Sequence, residues 1–247
     1  MMAETRRDER SATSYSPRDL VRVGGVLLVA GILFNLVVIM AWHPSGAEND
    51  HAEIFAEYAA SDGWVLTHFG QFLGVVVALA GLFAVCHAIR GAERGWLLAR
   101  LAMAALMGTV TAFAILQGLD GIGLKQNVDA WVAASGAEKD LRFDDAETVR
   151  WLEWGFQSYF RILLGLSLLL AGGAVVLSRV IAAWLGYLLI LAGALSIAVG
   201  IDVGYQGLES GFQDAISPLT QLVLLIAAVG ILVVGVRARS TAEPSPA

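Results

Sequence analysis

The sequence has a single cysteine, Cys86, so it forms no intramolecular disulfide and offers no multi-cysteine metal or iron–sulfur site. Set in a long apolar run, Cys86 reads as a small packing residue. Lysine is nearly absent. Lys125 and Lys139 are the only two, against fourteen arginines, and neither lies in an apolar run, which excludes a retinal-type Schiff base. Charge as a whole is scarce, at 15% of residues, where a soluble domain carries roughly 25%. A water-facing surface cannot be built from so few charged side chains. No basic patch is present, so nucleic acid is excluded as a partner. What the chain has in abundance is apolar surface: 57% hydrophobic residues and a mean hydropathy of +0.69.

That surface is concentrated in six runs, roughly 22–42, 64–88, 96–117, 156–177, 180–201 and 217–236. Each reaches the ~20 residues that a membrane-crossing helix needs. None has the period-two alternation of a barrel strand, and only helices or closed barrels satisfy their backbones in lipid. The sequence therefore predicts an all-α, six-helix transmembrane bundle over residues 21–237, with disordered tails at 1–20 and 238–247. The fourth and fifth spans, separated only by Ser178 and Arg179, form a tight hairpin.

Orientation follows from the arginines. With the N-terminus in the cytoplasm, the inner segments hold eleven basic residues against six acidic ones, and the outer segments hold four against sixteen. Two outer segments, 43–63 and 202–216, have no Lys or Arg. The positive-inside rule then places both termini in the cytoplasm and the chain in the cytoplasmic (inner) membrane. Ser45-Gly46-Ala47 resembles a signal cleavage site. The preceding run of ~20 apolar residues is longer than a signal-peptide core, so it reads as a retained helix.

The outer loops carry structure of their own. Asp50 and Glu53 have capping-box spacing ahead of Ile54, Phe55 and Tyr58, which predicts a short surface helix. Val128, Trp131 and Val132 repeat that pattern. Asp144 and Glu147 read as the start of a helix that continues into the fourth span. Asp120-Gly121-Ile122-Gly123 reads as a close turn over the bundle mouth, forming with residues 146–153 either a lid or an interfacial loop anchored by Trp131, Trp151 and Trp154. Gly70/Gly74 and Gly200/Gly204 have helix-packing spacing. The two halves of the chain show no evident repeat.

Polar residues within the spans gather toward one side. The candidate pocket comprises His68, Gln71, Gln117, Asp120, Gln157, Arg161, Asp202 and Gln206, with Asn35, Glu153 and Thr220/Gln221 at similar depth. The inner half offers little beyond His87 and scattered Ser and Thr. Arg161, well inside the fourth apolar run, is expected to pair with Asp120 or Asp202; snorkelling to the headgroups is the alternative. His43, His51 and His68, beside several acids, are weak candidates for zinc or copper, but they have no metal-site spacing. No cofactor is implied.

His43-Pro44, Trp64…His68…Gln71-Phe72 and Asp120-Gly121…Lys125 together resemble six-span bacterial membrane proteins classed only as domains of unknown function. The resemblance implies a fold and a membrane location and no catalytic residue. The residues leave several readings open. An outward-facing pocket for a small molecule, lipid headgroup or ion, or a purely structural cluster, comes first. A transporter comes second, and an enzyme using His68 with Asp120 or Asp202 and with Arg161 as an anion clamp comes third. The lipid bilayer is the one partner implied, and a homo-oligomer remains open.

Overall fold

The structure is a computed structural model and describes residues 15–42 and 46–240; the expected terminal tails fall largely outside that range. Its helices are α1 (Pro17–Trp42), α2 (His51–Ala60), α3 (Trp64–Ile89), α4 (Trp96–Gly118), a π-helical segment (Leu119–Leu124), α5 (Lys125–Ala133), α6 (Ala137–Ser178), α7 (Ala183–Gln206) and α8 (Gly211–Ser240). No strand occurs among the described residues. Six of these helices, α1, α3, α4, α6, α7 and α8, are long and apolar enough to cross a membrane, so the chain is a multi-pass membrane protein. An even number of crossings puts the start of α1 and the end of α8 on the same side. Leu66, Phe69, Leu73, Met107 and Leu222 are more than half exposed, as expected of side chains that face lipid.

The spans pack in sequence order, and α8 closes the ring against α1. Glycine sets the two tightest pairings. A Cβ at Gly172 would lie 2.6 Å from the Gly186 carbonyl oxygen, and one at Gly186 would lie 2.6 Å from that of Gly172. Gly165 and Gly193 repeat this reciprocity, and Ser158 donates to the Gly200 carbonyl at 2.7 Å. These contacts recur every seven residues along both helices in antiparallel register. They bring α6 and α7 to backbone contact, as small residues do in lipid. In the same way, Gly24 meets Gly81 and Gly31 meets Gly74 between α1 and α3.

Two sequence expectations need correction. Helix α6 starts at Ala137, seven residues before Asp144, and Gly136 (φ +58°) breaks the chain ahead of it. Glu138 and Asp140 sit in its first turn, where acids favour the helix dipole. Arg142 bridges Glu138 and Asp145, both at 3.4 Å. At ~1.5 Å per residue this helix of 42 residues is about twice as long as a ~30 Å hydrocarbon core is thick, so it projects beyond the membrane. The second correction concerns Asp120-Gly121-Ile122-Gly123, which does not turn. Helix α4 continues through the π segment directly into α5.

The projecting parts form a cap. As the capping-box spacing predicts, Asp50 caps α2 by accepting from the Glu53 backbone N–H at 3.1 Å. The buried face of α2 (Ile54, Phe55, Tyr58) packs with Trp64, Leu124, Val128 and Ala146 in an apolar cluster separate from the main core. Trp131 lies in this cluster against Phe55 and Phe143. The residues read as a lid are therefore a packed layer over one end of the bundle, called the cap side below.

Candidate functional site

Helix α6 shows how the site is built. Arg150, Glu153, Gln157, Arg161, Leu164 and Leu168 follow one another at three- and four-residue steps, which places them on one helix face. All six line a single cavity of about 360 Å³ in the centre of the bundle. Down that stripe the chemistry passes from ion pair to amide, to guanidinium, to hydrocarbon. Other helices make the same transition. Helix α3 passes from Gln71 to Val75, Leu79 and Leu82, α8 from Gln213 and Gln221 to Leu224, and α4, read inward, from Asp120 and Gln117 to Phe113. On α1, Asn35 stands above Ile32 and Leu28, with Ile39 one turn nearer the cap. The cavity is polar toward the cap and apolar beneath.

The cap-side wall is held by two networks. In the first, His68, only 2% exposed, faces the Trp64 carbonyl through Nδ1 at 2.8 Å and Asp120 Oδ2 through Nε2 at 2.9 Å. A carbonyl only accepts, so Nδ1 carries a hydrogen and donates it; a single proton lies between Nε2 and the carboxylate. Trp64 Nε1 donates to the Asp120 carbonyl at 3.0 Å. The π turn gives Asp120 this double role, presenting its backbone oxygen to Trp64 and its carboxylate to both His68 and the cavity. Gly121 is required beside it, because a Cβ there would stand 2.5 Å from His68 Cβ.

The second network centres on Arg150, 1% exposed. Its Nη1 donates to Glu153 Oε1 and Oε2 at 3.0 and 2.8 Å, and its Nη2 to the Glu48 carbonyl at 2.9 Å and to Glu48 Oε2 at 2.5 Å. The Tyr58 hydroxyl donates to the same Glu48 oxygen at 2.7 Å, and the Tyr58 ring lies 5.5 Å from the guanidinium carbon. Burial pushes the Tyr58 phenol far above its ordinary range, against the opposing pull of Arg150, so it remains a donor. One cation thus ties α6 to α2 and to the segment before it.

Arg161 departs from expectation. It pairs with neither Asp120 nor Asp202, since Asp120 is engaged by His68, and Asp202 accepts from Ser210 at 2.5 Å and Gln213 at 2.9 Å. Nor does it snorkel: it lines the cavity, and its Nε has no hydrogen-bond partner. Among the described residues no carboxylate lies within salt-bridge distance of it. A charge at this depth costs about 2.5–3.5 kcal/mol on the insertion scale.

Of the eight pocket residues expected from sequence, Gln71, Gln117, Asp120, Gln157 and Arg161 line the cavity. His68 stands behind Asp120 as its partner. Asp202 and Gln206 are outside the lining. Helix α7 packs through its glycines on α6, and its cap-side end binds the α7–α8 connection, with Gln206 exposed and its carbonyl accepting from Asn49 at 2.9 Å. Glu48, Tyr58, Arg150 and Gln213 belong to the lining and were not picked out. The three-residue spacing of Arg150 and Glu153 was a usable signal for that pair; nothing local pointed to Glu48.

The described histidines do not converge on one another. His43 lies outside the described residues. His51 faces Glu147 at 2.7 Å, stacked on Phe55, while His68 faces Asp120. Among the described residues no group of three or more His, Cys, Asp or Glu is placed to hold a metal ion. No protein-family model, curated protein or solved structure matches the chain.

Proposed function

We propose that this chain is a small-molecule-binding protein of the cytoplasmic membrane, with both termini in the cytoplasm and its cavity lying toward the outer side. The step from polar to apolar lining shared by α3, α4, α6 and α8 carries the reading, because a cluster serving only to lock the helices together would have filled that space with side chains. About 360 Å³ falls within the ~300–1,000 Å³ of ligand pockets. Leu28, Leu79, Leu82, Leu168 and Leu224 make the floor, so among the described residues the lining itself offers no polar route beneath the pocket, which disfavours transport. The motifs described above support reading the chain as akin to six-span bacterial membrane proteins of unknown function.

Two measurements test this. Leu164→Trp adds bulk to the cavity wall beside Arg161. Native mass spectrometry of protein released from its own membrane is expected to show a bound small molecule on the unmodified chain and none on this variant; identical spectra would count against a pocket. For orientation, Ser135→Cys lies on the exposed α5–α6 connection and Glu93→Cys on the exposed α3–α4 connection, while Cys86 is buried. A membrane-impermeant maleimide is expected to label Ser135→Cys in intact cells and Glu93→Cys only after permeabilisation. The opposite pattern would invert the topology.

A further inference from the structure

Resting on the pocket reading above, we propose that the ligand is a single-chain amphiphile with an anionic head group, its head held by Arg161 and its alkyl chain lying in the apolar floor. Arg161 stands at the polarity step itself, one turn below Gln157 and one turn above Leu164. The carboxylates of the same cavity are engaged elsewhere, Asp120 by His68, and Glu48 and Glu153 by Arg150. Glu153 is also eight residues up the helix, about 12 Å away along the axis. The Arg161 guanidinium therefore lies in a low-dielectric space with no counter-charge among the described residues and with Nε unpartnered.

A guanidinium there offers a planar fork of donors suited to a carboxylate or phosphate. At Arg161 itself a cationic head group would be repelled and a neutral one would leave the buried charge uncompensated, while the carboxylates Glu48, Asp120 and Glu153 stand at the cap end of the same cavity. The apolar floor calls for a hydrocarbon tail, and a volume of about 360 Å³ accommodates one medium-length chain. A free fatty acid and a single-chain phospholipid share this chemistry.

The test uses full-length protein in phosphatidylcholine nanodiscs, with tritiated dodecanoate as probe and empty nanodiscs subtracted to remove partitioning. Saturable binding of one dodecanoate per chain is expected, with dodecanol and acetate each competing at least about tenfold more weakly than unlabelled dodecanoate, as loss of a charge-assisted contact or of the tail requires. Arg161→Gln is expected to abolish the preference for dodecanoate over dodecanol, and Arg161→Lys to retain part of it. Lysophosphatidic acid displacing the probe better than dodecanoate would assign the head as phosphate; the reverse would assign it as carboxylate.

Equal competition by dodecanol and dodecanoate in the unmodified protein overturns the proposal while leaving the pocket intact, and this arm does not depend on any variant folding. Absence of saturable dodecanoate and lysophosphatidate binding also overturns it. The pocket reading itself fails only if the mass spectra of the unmodified chain and Leu164→Trp agree.

Discussion

Replacing Arg150 by Met is expected to destabilise the protein by about 3–5 kcal/mol, because the substitution strands two carboxylates that depend on one buried cation. Glu153 is 3% exposed, and Glu48 shares its Oε2 between Arg150 and the Tyr58 hydroxyl. The loss should be concentrated in the cap. Amide exchange in residues 46–60 is expected to rise first, since Arg150 holds that segment through the Glu48 backbone and side chain. Thermal unfolding followed by tryptophan fluorescence, together with exchange mass spectrometry, measures both effects. Adding Glu153→Gln to Arg150→Met should recover part of the loss, because it removes one stranded charge; strict additivity of the two substitutions would show that they are not coupled.

Gly172→Leu should cost nearly as much, about 3 kcal/mol, for a different reason. Overpacking usually costs about 1–3 kcal/mol when neighbouring side chains can shift. Here the nearest atom is the Gly186 carbonyl oxygen, 2.6 Å from the added Cβ, with the Ile190 backbone nitrogen at 2.9 Å. Backbone cannot yield without separating α6 from α7. Gly108→Leu is the matched control, because that helical glycine has open space around its Cβ position and should lose no stability. Equal melting temperatures for the two variants would show that the register of close contacts does not hold these helices together.

The architecture was legible because lipid imposes it. Apolar runs of spanning length, a shortage of charge and the Asp50–Glu53 cap each act through neighbours close in sequence, and these elements formed where expected. The position of the polar residues along each helix was legible too, since it is counted in residues. Five of the eight expected residues accordingly line one cavity. The start of α6 was missed because charged, helix-favouring residues beyond the membrane carry no apolar period, and the continuation of α4 was missed because two glycines signal a turn more strongly than a π helix.

Partnership was another matter. Arg150 and Glu48 are 102 residues apart, and only the packing of α2 beneath the projecting end of α6 brings them together. The azimuth of α7 decided that Asp202 and Gln206 leave the cavity, although they lie near the depth of residues that enter it. The same packing left Arg161 in the cavity wall without an acid. The sequence by itself determined that this is a six-span membrane protein with its polar groups gathered at one depth, because hydrophobic burial and position along a helix are one-dimensional properties. Tertiary structure alone decided which charges neutralise each other and which one faces an open cavity, because ion pairing depends on distances of about 3 Å between helices, and those were set by glycine contacts and by the cap.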